Sequence, residues 1–202
     1  MFNWSEYLNY ATKRTYKKDT VLFRQGESVE GFYFLQKGII MISVLREDGF
    51  ERIIDIVYPD SLIGEQMIYS EASFTNAKAQ VDSTLYYFSE SQFELLCKSH
   101  PEVAIEFGKS LIKKIRLQAT SNSILNAPID VQLAHFLLNL SEKKGSNIIN
   151  INQTSLANYI GKSRVAVWKV LKEWKDEEIL EVNQQSFIIK NIQKLKKKIK
   201  DY

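Results

Sequence analysis

The sequence is poor in the side chains that bind metals and form disulfides. It contains one cysteine, Cys97, and two histidines, His100 and His135, among its 202 residues. A single thiol excludes an internal disulfide and any zinc or iron–sulfur site that needs several cysteines from one chain. Neither histidine has a neighbouring cysteine or carboxylate pattern that suggests a metal ligand. We therefore expect no metal and no cofactor.

Long apolar segments are also missing. The chain has no apolar run of roughly 18 residues, the length at which a transmembrane helix becomes a candidate. The N-terminal residues, MFNWSEYLNYATKRTYKK, lack the apolar segment and the small-residue cleavage site of a signal peptide. We expect a cytoplasmic protein that does not enter a membrane.

Sequence motifs of common enzymes are absent too. The chain contains no nucleophile elbow, no Walker loop and no H-E-x-x-H pattern. General acid–base catalysis would need carboxylates that the sequence does not visibly pair. These absences favour a binding protein over an enzyme.

Basic residues are concentrated in the C-terminal part. Residues 127–202 contain 13 Lys and Arg against 8 Asp and Glu, a net charge of +5, whereas the whole chain carries +3. Residues 1–126 therefore carry −2. A basic region on a slightly acidic one indicates a polyanionic partner for the former, although a solvated lysine-rich surface also fits the charge count.

Residues 1–98 contain short apolar segments, rich in Ile, Val, Phe and Tyr, that are separated by turn residues. Segments of this length at near-regular spacing predict an antiparallel sandwich or roll. With the helical patterns that follow, the fold class is α+β with an N-terminal, jelly-roll-like antiparallel β-roll. The predicted strands are residues 21–23, 31–35, 39–44, 53–57 and 83–88.

The hydrophobic period changes near residue 98. Pro101 lies at the start of a helical pattern that extends from residue 100 to about residue 126. One apolar stripe consists of Val103, Phe107 and Leu111. A second stripe predicts a second surface, and a twin helix across a dimer axis explains it most simply. A wide face buried within one chain is the alternative. The second stripe consists of Ile105, Ile112, Ile115 and Ala119.

Pro128 ends this pattern and marks a domain boundary. We predict a β-roll over residues 1–98, a long dimerisation helix over 99–126 and a DNA-binding domain over 127–202. In the last part, a short helix, a turn at Gly161 and a second helix form a helix-turn-helix, and the hairpin that follows is its wing. The predicted helices are residues 129–141, 156–160 and 163–176, and the predicted hairpin strands are residues 179–182 and 186–189.

The second helix of this motif begins GKSRVAVWKVLKEW, and no Asp or Glu occurs between Gly161 and Lys172. A helix in the DNA major groove uses Arg or Lys for guanine and small apolar groups for thymine methyls. Its predicted inward residues are Val167, Val170, Leu171 and Trp174. Its predicted outward residues are Arg164, Val165, Trp168, Lys169 and Lys172. This distribution favours double-stranded DNA as the partner.

These residues resemble the CRP/FNR regulators. The segment INQTSLANYIGKSRVAVWKVLKEWKDEEILEVNQQSFII is similar to their winged helix-turn-helix, and the upstream part is similar to their cyclic-nucleotide-binding β-roll. The resemblance covers about residues 16–189, in the family's domain order. Its motifs in the roll are Gly26-Glu27, Lys37-Gly38, Asp48-Gly49, Leu62-Ile63-Gly64-Glu65 and Ala77-x-Ala79-x-x-Asp82-Ser83.

The resemblance implies a homodimeric transcription regulator that binds a near-palindromic DNA site and works with RNA polymerase. By position, Arg164, Val165 and Lys169 match the family's base-contacting residues, and Gln153 and Ser163 match phosphate-contacting positions. The family often has glutamate where this chain has Val165, so we expect a DNA site that departs from the common consensus. The complete predicted DNA-binding set is Gln153, Thr154, Ser163, Arg164, Val165, Trp168, Lys169 and Lys172.

The resemblance also implies an effector pocket in the roll. In cyclic-nucleotide binders of the family, Gly-Glu is followed by Arg-Ser or Arg-Thr before an Ala, and the arginine pairs with the cyclic phosphate. Here Thr75 and Asn76 stand at the latter positions, and neither supplies a cation. We therefore expect a regulator that does not depend on cyclic AMP, with its effector unidentified or unnecessary. The candidate pocket residues are Gly64, Glu65, Thr75, Asn76, Thr120 and Ser121.

Two other functions remain open at this point. One is a stand-alone sensor that binds a small molecule or a protein but no DNA; the absence of acidic residues from Gly161 to Lys172 argues against it. The other is a cyclic-nucleotide-dependent regulator.

The basic segment QKLKKKIK at residues 193–200 has only a narrow apolar stripe, so a solvated or phosphate-facing lysine face fits it better than membrane contact.

Overall fold

A computed structural model of the protein describes residues 2–70, 72–184 and 186–200. The chain divides into two compact units, Met1–Gln118 and Ala119–Tyr202. The division lies within the long helix, a few residues before the domain boundary at residue 127 that the sequence suggests. In the described part of the chain, no helix is both long and apolar enough to cross a membrane.

The first unit is a β-roll, as the sequence predicts. Its described residues form two four-stranded antiparallel sheets, ordered β1-β8-β3-β6 and β2-β7-β4-β5. Five strands match the predicted segments, whereas β1, β6 and β7 were not predicted. The strands are β1 (Thr12–Tyr16), β2 (Val21–Phe23), β3 (Gly31–Lys37), β4 (Ile40–Leu45), β5 (Glu51–Val57), β6 (Ser61–Ile63), β7 (Asn76–Ala79) and β8 (Ser83–Ser89).

The sheet that contains β3 is covered on both faces, which explains why the first five residues of β3 are all buried. Phe32 and Phe34 belong to a core cluster with Phe93 and Phe107 from the helices. Tyr33 and Leu35 point the other way, into a cluster inside the roll. Because side chains alternate along a strand, an uninterrupted apolar run fits a strand that is buried on both sides.

Two helices follow the roll, α1 (Glu90–Ser99) and α2 (Glu102–Ser123). Ser89 starts α1 with a capping box in which its hydroxyl accepts from the backbone N–H of Gln92. The backbone N–H of His100 ends α1 by donating to the carbonyl of Leu96 at 2.8 Å. The sequence predicts the long helix from residue 100 to about residue 126. In the structure, α2 begins two residues later and ends about three residues earlier.

The second unit begins with the last residues of α2 and continues as a helical domain with a small antiparallel sheet, ordered β10-β11-β9. Four apolar residues of its first complete helix, Leu133, Phe136, Leu137 and Leu140, are buried on one face of that helix. Gly145 ends that helix in the left-handed conformation, with φ of 63°. The elements are α3 (Ile129–Lys144), β9 (Ile148–Ile149), α4 (Gln153–Ile160), α5 (Arg164–Asp176), β10 (Leu180–Val182), β11 (Phe187–Ile189) and α6 (Ile192–Lys200).

Candidate DNA-binding surface and effector site

The turn between α4 and α5 has the geometry of a helix-turn-helix. Asn152 caps α4 by accepting from the backbone N–H of Ser155 at 2.8 Å. Gly161 ends α4 with φ of 69°, a left-handed conformation that glycine adopts without strain. Ser163 then caps α5 by accepting from the backbone N–H of Ala166 at 3.2 Å. The chain turns within three residues because the left-handed Gly161 ends α4 and the Ser163 side chain caps the start of α5.

The inner face of α5 fixes the helix in the domain. Val167, Leu171 and Trp174 are fully buried, and Val170, which we also expected to point inward, is half-buried. These positions follow the three- and four-residue spacing of one helix face. The helix therefore has one rotational setting, and its other face is presented to solvent.

The outer face of α5 carries an unusual set of exposed side chains. Val165 is 67% exposed and Trp168 is 40% exposed, although both are apolar. Arg164, Lys169 and Lys172 are exposed as well, and none of the three forms an ion pair with another described residue. A solvated helix more often pairs its lysines with glutamates. The outer face of α5 therefore exposes cations and apolar groups that can contact a partner outside the chain.

The predicted phosphate-contacting residues lie at helix starts. Gln153 and Thr154 are the first residues of α4, which begins three residues earlier than the sequence suggested. Thr154 is exposed and Gln153 is half-buried. The hydroxyl oxygen of Ser163 accepts from the backbone N–H of Ala166, and its O–H has no acceptor among the described residues. Backbone N–H groups at helix starts attract anions, so these positions suit a phosphate.

The second apolar stripe of α2 is uncovered in the single chain. Ile105, Ile112 and Ile115 are 61%, 52% and 67% exposed, and Ala119 is exposed too. Val103 and Phe107, from the first stripe, are buried against the roll, while Leu111 stays partly exposed. Three exposed isoleucines on one helix form a contiguous apolar patch of the kind that marks an interaction surface.

In the candidate effector site, Glu65 already has partners within the chain. Its residue is only 3% exposed. Its carboxylate accepts from the Ser110 hydroxyl at 2.8 Å and forms a close ion pair with the Lys114 ammonium. Lys114 also donates to the Leu62 carbonyl at 3.0 Å. Sequence reasoning missed Ser110 and Lys114, whose spacing of four residues places them on one face of α2.

The groups around Thr75, close to Glu65 in the sequence, form a buried network of neutral side chains. Gly64 has φ of 83°, and a Cβ atom there would clash with the Met67 Cε atom. Thr75 is buried, and its backbone N–H donates to the Ser73 hydroxyl at 3.2 Å. Gln66 donates to the hydroxyls of both Ser73 and Thr75, at 3.3 and 3.4 Å. This buried network has no cation to receive a phosphate.

The remaining candidate pocket residues have separate roles. Asn76 accepts from the Gln25 backbone N–H at 3.0 Å and so holds a loop of the roll. Lys78 points outward, as strand alternation predicts, and pairs with Asp19 at 3.2 Å. Thr120 and Ser121 belong to the second unit, where the Ser121 and Tyr159 hydroxyl oxygens lie 3.5 Å apart.

The cysteine and the histidines occupy structural positions. Cys97 packs against the core of the first unit, and burial raises the pKa of its thiol, which disfavours the reactive thiolate. Burial lowers the pKa of His135 on α3. His100 packs edge-on against Tyr7, with ring centroids 5.0 Å apart. Among the described residues, no group of three His, Cys, Asp or Glu could hold a metal ion.

Comparisons with known proteins match both units. A family model described as a cyclic nucleotide-binding domain matches residues 13–100. A second one, described as a Crp-like helix-turn-helix domain, matches residues 131–198. The matches coincide with the β-roll and with the domain that carries α4 and α5.

Similar proteins extend over nearly the whole chain. The cAMP-activated global transcriptional regulator CRP of Pasteurella multocida is 26% identical over 194 residues, which cover 91% of this chain and 92% of that protein. The anaerobic regulatory protein of Bacillus subtilis is 25% identical over 189 residues, 89% of this chain and 79% of that protein. The structure of FixK2 from Bradyrhizobium japonicum matches with a TM-score of 0.81 at 19% identity, over 93% of this chain and 96% of that one. At that identity, the structural likeness shows the fold.

Proposed function

The chain belongs to the CRP/FNR family of DNA-binding transcription regulators, and on this premise we propose that it recognises a two-fold symmetric DNA site as a homodimer, without cyclic AMP. The observation that carries the proposal is the exposed face of α5. Arg164, Val165 and Lys169 are exposed on this face, and the two cations form no ion pair with another described residue. The buried face of α5 holds the helix in one orientation. Regulation of transcription then involves RNA polymerase as a further partner.

Four exposed residues of α5, Arg164, Val165, Lys169 and Lys172, have chemical counterparts on DNA. Arg164 offers a planar fork of donors that fits O6 and N7 of guanine. Val165 cannot accept a hydrogen bond, and its methyl groups suit the methyl group of thymine. Lys169 and Lys172 carry charges that suit a base edge or phosphates, and Ser163 and Thr154 carry hydroxyls for the backbone. We expect a thymine where relatives with glutamate at the Val165 position select cytosine.

Dimerisation is supported by the exposed stripe on α2. Burial of Ile105, Ile112 and Ile115 against the same residues of a second chain removes apolar area from water. Gly108 lies between Ile105 and Ile112, and apart from its chain neighbours and the backbone of its own helix, no atom lies within 4 Å of where its Cβ would be, so a second helix has room to approach closely. A two-fold dimer places its two recognition helices about one DNA turn apart, roughly 34 Å.

Independence from cyclic AMP is supported by the contacts of Glu65. A ribose hydroxyl would have to compete with Ser110 and Lys114 for a carboxylate that is already buried and paired. A cyclic phosphate placed at Thr75 would find a neutral hydroxyl in a network of neutral groups. A buried anion without a cation or several N–H donors is unfavourable by several kcal/mol, on the order of the cost of desolvating a charge.

Selection of random DNA fragments by the purified full chain, without any nucleotide, tests the proposed function. We expect enrichment of one two-fold symmetric motif. Enrichment that occurs only when cyclic AMP is added would keep the DNA-binding function and refute the independence. Absence of a motif under both conditions would instead favour a sensor that does not bind DNA.

A further inference from the structure

Arg14 on β1 points into the roll. It pairs across the sheet with Leu85 of β8, and directly opposed residues of antiparallel strands share a face. Leu85 is fully buried, in the cluster that fills the inside of the roll together with Tyr33 and Leu35. The neighbouring Lys13 pairs with Tyr86 and is exposed on the opposite face. A guanidinium thus lies on the face of the sheet that packs against the apolar cluster inside the roll.

Three tyrosines surround this guanidinium. Its Cζ atom lies 4.0 Å from the ring centroid of Tyr87 and 5.6 Å from that of Tyr33. Its Nη1 atom donates to the Tyr33 hydroxyl at 3.0 Å. The rings of Tyr16 and Tyr33 pack edge to face, with centroids 6.4 Å apart. We call these four residues, Arg14, Tyr16, Tyr33 and Tyr87, the Arg14 cluster.

The Arg14 cluster contains a cation without a counter-ion. Among the described residues, no carboxylate forms an ion pair with Arg14, whereas Arg24 and Arg46 on the surface pair with Glu27 and Asp48. Glu30 contacts the cluster through its backbone, since its carbonyl accepts from the Tyr87 hydroxyl at 2.8 Å. This arrangement is the reverse of the usual one, in which inward charges are paired and outward charges are free.

The tyrosines do not neutralise Arg14 themselves. Burial, followed by the neighbouring Tyr16, raises the pKa of Tyr33, and burial also raises the pKa of Tyr87. Both phenols are therefore neutral at physiological pH. Arg14 is only half-buried, its Nη1 atom donates to the Tyr33 hydroxyl, and Tyr16 is a further hydrogen-bond partner. A guanidinium has five N–H donors, so these two contacts leave donors for a molecule that enters from solvent.

We infer that the Arg14 cluster binds a small oxyanion, the carboxylate or phosphate group of a small molecule. A guanidinium takes such a group through two parallel N–H donors, and the flat tyrosine faces hold the fork in place. The site is distinct from Glu65, whose partners come from α2. The Arg14 cluster would bind the anionic group of an effector, which the neutral network around Thr75 does not accommodate. The inference does not require DNA binding to be correct.

The test follows the Nε–H resonance of Arg14 in the ¹⁵N-labelled full chain. Sodium phosphate and sodium acetate are titrated separately, against sodium chloride at equal ionic strength. The Arg14 resonance is assigned by its absence from the Arg14→Lys variant. We expect a saturable shift with at least one of the two oxyanions and none with chloride. Saturation by phosphate alone or by acetate alone identifies the group that the effector carries.

Two variants sharpen this experiment. Arg14→Gln, followed through the ring resonances of Tyr87, is expected to weaken binding about tenfold or more, because a charge-assisted pair is lost. Lys13→Gln, on the opposite face of β1, is expected to bind as the unaltered chain does. A shift that rises linearly without saturating for both oxyanions overturns the inference, and so does equal binding by Arg14→Gln. If Arg14→Gln does not fold, the titration of the unaltered chain decides alone.

Discussion

The outer face of α5 and the surroundings of Glu65 both contain charged and polar side chains, but they use them in opposite ways. On α5, Arg164 and Lys169 are exposed and form no ion pair with any described residue. Around Glu65, Lys114 and Ser110 satisfy the carboxylate from within the chain. An unpaired polar surface keeps its hydrogen-bonding capacity for a partner, whereas a paired and buried one has already used it. The comparison supports the proposal that the outer face of α5 recognises DNA, whereas the Glu65 carboxylate is engaged within the chain.

The exposed apolar stripe of α2, like the outer face of α5, is a candidate interaction surface. Its disruption should have the largest effect on DNA binding. Ile112→Asp places two carboxylates opposite each other at a dimer axis, which costs on the order of several kcal/mol. We expect a monomer in sedimentation and loss of site-specific DNA binding. Lys113→Asp, on a neighbouring face of α2, is the control and should leave the dimer intact. A dimeric Ile112→Asp variant would show that the stripe is not the interface.

Replacement of Lys114, the ion-pair partner of Glu65, tests whether this pair stabilises the fold. Lys114→Met leaves a buried carboxylate unpaired, and we expect a loss of about 2–3 kcal/mol in the free energy of unfolding. The estimate is below the usual range because the Lys114 side chain is 37% exposed. Urea denaturation measures it. The double variant Lys114→Met with Glu65→Gln should recover most of the loss, since no unpaired charge remains.

On the DNA-binding side, Arg164→Ala should weaken the specific site by about 1–3 kcal/mol with little change on random DNA. The reason is that a bidentate contact to guanine is lost while the phosphate contacts remain. Fluorescence anisotropy with the selected site and with a scrambled site measures both. Lys175→Ala, an exposed lysine in the last turn of α5, is the matched control. Equal losses on the two DNAs would show that Arg164 contacts phosphate.

The smallest effect is expected for Lys172→Ala. If its ammonium contacts a phosphate, binding should weaken alike on specific and random DNA. The slope of log K against log salt concentration should fall in magnitude by about 1, because one fewer counterion is released. Anisotropy titrations at several salt concentrations give this slope. An unchanged slope would place Lys172 outside the DNA interface and narrow the contacting face to the first two turns of α5.

The helix-turn-helix surface could be predicted from the sequence because its signals are local. Val167, Leu171 and Trp174 recur at helical spacing, and Gly161 marks the turn, so the outward residues follow directly. The long-range pairing of Glu65 with Lys114 could not be predicted in this way. The two residues are 49 positions apart, and only the fold brings them together.

The unpredicted strands had weak local signals for physical reasons. β1 reads TKRTY and exposes alternate polar residues, and β7 reads NAKA, which contains no β-branched or aromatic residue. β6 spans only three residues. These strands form because their neighbours in the sheets pair with them. Since β1 was missed, the inward direction of Arg14 was missed with it.

Calorimetric titration of cyclic AMP into the full chain, combined with anisotropy on the selected DNA site in the same buffer, tests whether DNA binding is independent of the nucleotide. We expect no saturable heat with cyclic AMP and the same DNA affinity with and without it. A saturable binding isotherm together with tighter DNA binding would contradict it, because cyclic AMP would then displace Lys114 or Ser110 from Glu65.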